Sequence, residues 1–247
     1  GCDGRFQPLE HPLNIRHSGT CARFLAAALL RGEGTYRLTG SPRMQERPMG
    51  DLLEALRTGG ARIKASGESL PWIINAGPIR GGELVVRGRK SSQFLSALLM
   101  VAPFADQDSL IRVEGPLVSP TYVEMTLSVM RHFGVNITQS GHHFYIPARQ
   151  SYRASSFSIP GDASSASYFF ALAAITGLRI TVEHLPAEPP QSDLGFATIL
   201  SQMGCRIERD ADSITVEGAS ELRGLDLDMC DMSDVVPSLA VVALFAT

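Results

Sequence analysis

The segment Gly40-Ser41-Pro42-Arg43-Met44-Gln45-Glu46-Arg47-Pro48 sets two arginines four residues apart across a proline-bounded turn, directly before a helix-forming stretch. Guanidinium groups grip phosphate and carboxylate oxygens through paired N–H donors, and a helix start adds its positive dipole end. The turn can therefore hold an anion, although the same residues also suit a solvated loop with one Arg–Glu pair. Ser18-Gly19-Thr20, Ser91-Ser92-Gln93 and Ala163-Ser164-Ser165 each precede an apolar run. Small polar residues there cap backbone N–H groups. Several such starts gathered at one face would make an anion site, with Gly19 permitting close approach and Ser91 and Ser92 offering hydroxyls. Asp234, beside Ser233 at a fourth opening, reads either as an N-cap or as a carboxylate placed to take a proton.

Other candidates carry less chemistry. Cys2, Cys21, Cys205 and Cys230 are scattered without zinc spacing; three lie in apolar surroundings and read as small core residues. His142-His143 reads as a pair on a strand edge, and Asp226, Asp228 and Asp231 as exposed charges without a calcium-loop pattern. No metal or organic cofactor is implied.

The elements that must position these groups recur along the chain. Gly59-Gly60-Ala61-Arg62-Ile63, Phe133-Gly134-Val135-Asn136-Ile137 and Met203-Gly204-Cys205-Arg206-Ile207 are alike, the final Ile recurring after 74 and then 70 residues. Each unit is expected to open with a helix apolar on nearly all sides, hence buried. A β-branched strand follows (35–39, 109–113, 179–182), then an amphipathic helix such as that marked by Val123, Leu127, Met130 and Phe133. A left-handed glycine (Gly59 or Gly60, Gly134, Gly204) ends that helix, and alternating strands such as 144–146 and 213–216 close the unit. The fold class is therefore α/β (α+β), with a βαβαββ-like module used three times. The division falls near Ser158–Asp162, giving 1–159 as one partial lobe and 160–247 as another. The last helix runs apolar toward Thr247 without a stop signal, and the chain reads as a fragment lacking segments at both ends.

Composition narrows the function. Of the 247 residues, 44% are hydrophobic and 19% charged, as in globular proteins. A net charge of −3 offers no basic excess for a nucleic-acid backbone. Lysine occurs only at Lys64 and Lys90, so nearly all positive charge is arginine. No apolar run reaches membrane-span length, and residues 1–10 lack a basic start and a hydrophobic stretch. Neither nucleic acid nor membrane is an expected partner, and a reducing cytoplasm is the expected location.

The stretch SGTCARFLAAAL…LTGSPRMQERPMGDLLEALRTGGARI, then SSQFLSALLMVAPFA with LVSPTYVEMTL, PGDASSASYFFALAAITG and DMSDVVPSLAVVALFA resemble, in order, the signatures of 5-enolpyruvylshikimate-3-phosphate synthases. That resemblance implies two lobes of three βαβαββ modules each, about three of the six being present here. It implies transfer of the enolpyruvyl group of phosphoenolpyruvate to the 5-hydroxyl of shikimate 3-phosphate with release of phosphate, by a usually monomeric enzyme without cofactor. Carried over by position, Ser91, Ser92, Gln93, Ser119 and Tyr122 would hold shikimate 3-phosphate. Gly19, Arg47 and Gln93 would hold phosphoenolpyruvate, where glyphosate also binds in the family, with Thr20, Arg23 and Arg43 supporting. Asp234 would also contact the shikimate and act as general base on its 5-hydroxyl.

Several residues depart from the family. Arg16-His17 replaces the usual Gly-Asn, Pro120-Thr121 replaces a basic residue and proline, and Phe24 stands where many members have proline. The family's substrate-binding Lys-Ser, a Lys-Glu pair and later phosphate-gripping Arg and Lys are expected in segments outside this chain. Two alternatives accompany the reading. One is an inert truncated homologue that self-associates through exposed core. The other is UDP-N-acetylglucosamine enolpyruvyl transferase, although the loop RMQERP lacks the reactive cysteine usual there.

Overall fold

The computed structural model describes residues 6–185 and 191–247. They group into two compact units: residues up to Val118 with Tyr122–Ser155, and Ser119–Thr121 with Ser156–Thr247.

The first unit contains two copies of one chain path. The first copy runs β1 (Leu13–Asn14), α1 (Gly19–Ala28), β2 (Thr35–Thr39), α2 (Pro42–Gln45), α3 (Gly50–Thr58), β3 (Arg62–Ala65) and β4 (Trp72–Asn75). The second runs β5 (Gly82–Arg87), α4 (Ser92–Val101), β6 (Ser109–Glu114), α5 (Pro120–His132), β7 (Thr138–Ser140) and β8 (His143–Ile146). Their sheets have matching orders, β1-β2-β4-β3 and β5-β6-β8-β7. In each, the first two strands are parallel across the buried helix and the remaining pairs antiparallel. This is the βαβαββ path expected from the repeat, and the α/β class holds.

Side-chain alternation explains why these strands lie on one core. Tyr36 and Leu38 of β2, Trp72 and Ile74 of β4, Ile111 and Val113 of β6, and Phe144 and Ile146 of β8 point inward. They pack with α1 and α4, whose Ala22, Ala26, Phe94, Leu95, Leu98 and Leu99 are buried in the same cluster.

The repeated glycine signature has one physical cause. Gly60, Gly134 and Gly204 sit at φ +96, +84 and +113, so Gly60 rather than Gly59 is the left-handed residue. Their N–H groups donate to Arg57, Arg131 and Ser201, and those of Ala61, Val135 and Cys205 donate to Leu56, Met130 and Leu200. That pair of bonds, made three times, is the Schellman cap, which needs φ above zero and favours an apolar residue after the glycine.

The second unit contains α6 (Ala163–Thr176), β9 (Arg179–Glu183), α7 (Gly195–Gln202), β10 (Arg206–Arg209), β11 (Ser213–Glu217) and α8 (Val236–Ala243). Its sheet, β10-β11-β9, is antiparallel throughout. Among the described residues this copy has no opening strand parallel to β9, because residues 151–162 form no strand. The third repeat is therefore shorter than expected.

Four further expectations are corrected. α6 is not enclosed: Ala166, Phe170, Ala173 and Ala174 face the core, but Tyr168 and Phe169 are 64% and 54% exposed. Residues of this unit cover only one side of the helix. α8 ends at Ala243, and the chain beyond it turns so that Thr247 donates to the Leu222 carbonyl. His143 lies in β8, an interior strand between β6 and β7, with an exposed side chain. Of the cysteines, Cys205 alone is buried among the described residues, while Cys21 and Cys230 are exposed in the first turns of their helices; Cys2 lies outside the described residues.

Candidate functional site

Each helix start is built by a local cap. Ser18 accepts from the Cys21 N–H at 3.1 Å and Ser91 from the Gln93 N–H at 3.3 Å. For α6 the cap is Asp162, whose carboxylate accepts from Ser164 and Ser165 N–H at 3.2 Å. The cap thus lies one residue before the expected Ala163–Ser165, since a carboxylate is the stronger acceptor for two amides.

In the first unit, α1 and α4 pack side by side, and this packing joins residues far apart in sequence. Gln93 donates to the Thr20 hydroxyl at 3.2 Å and accepts from Arg23 Nη1. Arg23 lies over the Phe94 ring, 5.4 Å from its centroid, a cation–π contact. Its Nε is buried without a hydrogen-bond partner. Gly19 is buried against both guanidinium groups. A Cβ at that position would lie 2.9 Å from Arg47 Nη1 and 3.2 Å from Arg23 Nη1.

Two cations thus converge on the N-terminus of α1. Burial and then repulsion from Arg47 lower the Arg23 pKa. Among the described residues neither guanidinium forms an ion pair with a carboxylate, and the helix N-terminus adds its positive end. Such an arrangement favours a phosphate or carboxylate ligand that relieves the repulsion and fills the orphan donor.

The arginine turn resolves into the two options left open by its sequence. Residues 42–45 form α2, capped by Ser41. Arg43 takes the solvated option: it is 82% exposed and pairs with Glu46 at 2.8 Å, outside the cluster. Arg47 instead reaches Gly19. The turn is pinned to the chain before α1, because Ser41 N–H donates to the Arg16 carbonyl at 2.9 Å and the Ser41 hydroxyl lies 2.9 Å from His17 Nδ1. Arg16 occupies the left-handed region at φ +54. The departure Arg16-His17 therefore supplies a side-chain tie to the arginine turn, at the cost of a strained backbone.

The other candidates are placed as follows. Ser91, half-buried, and Ser92, buried, begin α4 beside Gln93, and Tyr122 is half-buried on α5. Ser119, with φ +50, belongs by its contacts to the second unit. Asp234 also lies in the second unit, exposed within the short 3₁₀ stretch Cys230–Val235. α8 begins after it with Val235 as N-cap and no side-chain bond, so Asp234 is not that helix's cap. Among the described residues no group of three or more His, Cys, Asp or Glu is arranged to hold a metal ion, and no helix is long and apolar enough to cross a membrane.

Sequence reasoning missed Asp51, a carboxylate 6% exposed in the first turn of α3, and the Phe94 floor beneath Arg23. An acid in a first helical turn ordinarily signals only the dipole, and a Phe in an apolar run signals only core.

Residues 1–247 match the family model described as EPSP synthase (3-phosphoshikimate 1-carboxyvinyltransferase). The 3-phosphoshikimate 1-carboxyvinyltransferase of Nostoc punctiforme is 45% identical over 250 residues, covering 100% of this chain and 59% of that protein. The enzyme of that name from Yersinia pestis is 44% identical over 243 residues, covering 96% and 56%. The solved EPSP synthase from Acinetobacter baumannii superposes with a TM-score of 0.74 at 25% identity, over 96% of this chain and 56% of that one. An enolpyruvyl transferase from Streptomyces tendae shares the fold at 16% identity, with a TM-score of 0.64 over 90% of this chain and 53% of that one. The chain thus spans under two thirds of the length of these relatives.

Proposed function

Because the chain belongs to the EPSP synthase family, we propose that it serves enolpyruvyl transfer from phosphoenolpyruvate to the 5-hydroxyl of shikimate 3-phosphate, with release of phosphate. One observation carries the reading: Arg23 and Arg47 converge on Gly19 with no acid paired to either among the described residues, and Arg23 has a buried N–H group without an acceptor. A dianionic or trianionic enolpyruvyl phosphate answers both features.

In this reading Gly19, Arg47 and Gln93 receive phosphoenolpyruvate, and Thr20 and Arg23 fix the Gln93 amide. Fixed cations stabilise charge as the carboxyvinyl group adds and phosphate departs, without reorganising at the moment of reaction. Ser91, Ser92, Ser119 and Tyr122 are assigned to shikimate 3-phosphate. Asp234 takes the proton of the 5-hydroxyl as its oxygen bonds to C2 of the enolpyruvate; protonation at C3 gives a tetrahedral adduct. Loss of the C3 proton and of phosphate then yields the enol ether. Residues 1–159 and 160–247 are read as parts of two lobes, and Arg43 is read as a surface residue.

Calorimetric titration of the full chain with phosphoenolpyruvate and shikimate 3-phosphate, paired with an assay of phosphate release, tests the proposal. Arg47→Ala is expected to weaken phosphoenolpyruvate binding roughly ten- to a hundredfold, the loss of one charged hydrogen bond, with circular dichroism unchanged. Asp234→Asn is expected to spare phosphoenolpyruvate binding and abolish any phosphate release. Undiminished phosphoenolpyruvate binding by Arg47→Ala, or a requirement for UDP-N-acetylglucosamine as acceptor, overturns it.

A further inference from the structure

Asp51 is the one acid of its neighbourhood that is both buried and flanked by two cations. Its Oδ1 accepts from Arg87 Nη1 at 3.0 Å. Lys90 Nζ lies 3.4 Å from Oδ1, as a hydrogen bond, and 3.2 Å from Oδ2, as an ion pair. Oδ2 has no hydrogen bond of its own, so charge alone holds it.

The carboxylate is anchored and the cations come to it. Asp51 sits between the buried Met49, Leu52 and Leu53, whereas the side chains of Arg87 and Lys90 are 59% and 46% exposed. The cavity beside it, about 250 Å³, is lined also by Glu54, Glu83 and Glu114. Glu54 is exposed, and Glu83 and Glu114 both engage Arg112. None of these three replaces Asp51 as the buried anchor.

The connectivity gives the ion group its meaning. Asp51 follows Arg47 by four residues at the start of α3, and Lys90 immediately precedes Ser91 at the start of α4. The two chain segments that carry the candidate anion donors are therefore fastened to each other through one carboxylate.

We propose that Asp51, through Lys90 and Arg87, is a positioning residue that sets the arginine turn against the Ser91-Ser92-Gln93 helix start. The inference rests on the reading of those segments as the anion site. Asp51 is assigned no ligand contact. It holds donors at fixed separation, so that phosphate groups meet them without prior ordering.

The test uses the full chain and two variants, Asp51→Asn and Lys90→Met, the second at an exposed side chain whose loss leaves the core intact. Amide hydrogen exchange is measured without ligand, and binding of shikimate 3-phosphate and phosphoenolpyruvate by calorimetry. Both variants are expected to speed exchange in residues 44–50 and 88–94 while β9 and β11 stay protected. Each weakens binding about tenfold, and the double variant is no weaker than the worse single one. Unchanged exchange in the two segments, equal acceleration throughout the chain, or additive losses overturn the proposal. Should the parent chain bind neither ligand while exchange loosens as stated, the strut stands and the functional reading fails. Should Arg47→Ala abolish binding while both variants leave exchange unaltered, the converse holds.

Discussion

Gly19→Ala tests the geometry of the arginine pair with a single methyl group. The new Cβ would stand 2.9 Å from Arg47 Nη1 and 3.2 Å from Arg23 Nη1, below ordinary van der Waals separation. Arg47 is exposed and flexible, so its tip moves away by several tenths of an ångström at little cost to the fold. Arg23 is held by Gln93 and the Phe94 face, so it yields less. Because Gly19 begins α1 and is not among the positive-φ glycines, alanine there also restricts the unfolded chain and adds about 0.4–1 kcal/mol of stability. The methyl group occupies the closest approach to the helix N–H groups, where an anion would sit. Displacing Arg47 and blocking that approach removes about one charged hydrogen bond, roughly 1.5–3 kcal/mol, or about ten- to a hundredfold in affinity. Thermal melting followed by circular dichroism should show no loss of stability, while calorimetry should show phosphoenolpyruvate binding weakened by that factor. Affinity within twofold of the parent would refute the reasoning, as would a melting temperature lowered by more than a few degrees.

Three other perturbations probe separate parts of the argument. Arg16→Gly removes a side chain from φ +54 and should stabilise the first unit by about 1 kcal/mol, a rise of roughly 2–4 °C in its melting temperature; an unchanged or lower value would show that the residue is not strained. Asp162→Ala deletes the cap of α6 and should cost the second unit about 1 kcal/mol, read as a lower denaturant midpoint for that unit. The Tyr145 hydroxyl and the Ala148 N–H hold the Asp108 carboxyl below its ordinary pKa. A lowered value in the folded state adds stability above the unfolded value of about 4, and that stability is lost as pH falls through the folded value. Tyr145→Phe should move the Asp108 titration, followed by carboxyl NMR, back toward the ordinary value; no movement would discount the bond.

The repeats were legible because their cause is local. A glycine three times at the same step after an amphipathic helix marks a left-handed cap wherever it occurs, and Gly60, Gly134 and Gly204 each make that cap. Alternation in β8 marked one buried face for the same reason, whereas β11 buries Ile214, Thr215 and Val216 in succession. The opening helices were less legible. Apolarity on all sides says that a helix can be covered, not that its own unit covers it; α4 is enclosed, whereas Tyr168 and Phe169 of α6 are not.

The amino-acid sequence alone determined the class, the module and its Schellman caps, since each depends on neighbours within a few positions, and it offered candidates for an anion site. Its local pattern left Arg43 and Arg47 equivalent, and only the family resemblance ranked Arg47 first. The tertiary structure separated them, because the tie of Ser41 to Arg16 and His17 aims Arg47 at Gly19 and leaves Arg43 to Glu46. It likewise made Asp51 a buried anchor and set Gln93 against Thr20 and Arg23, seventy or more residues away. Such partnerships come from the packing of α1, α3 and α4, and no short-range pattern encodes which polar groups that packing brings within three ångströms of one another.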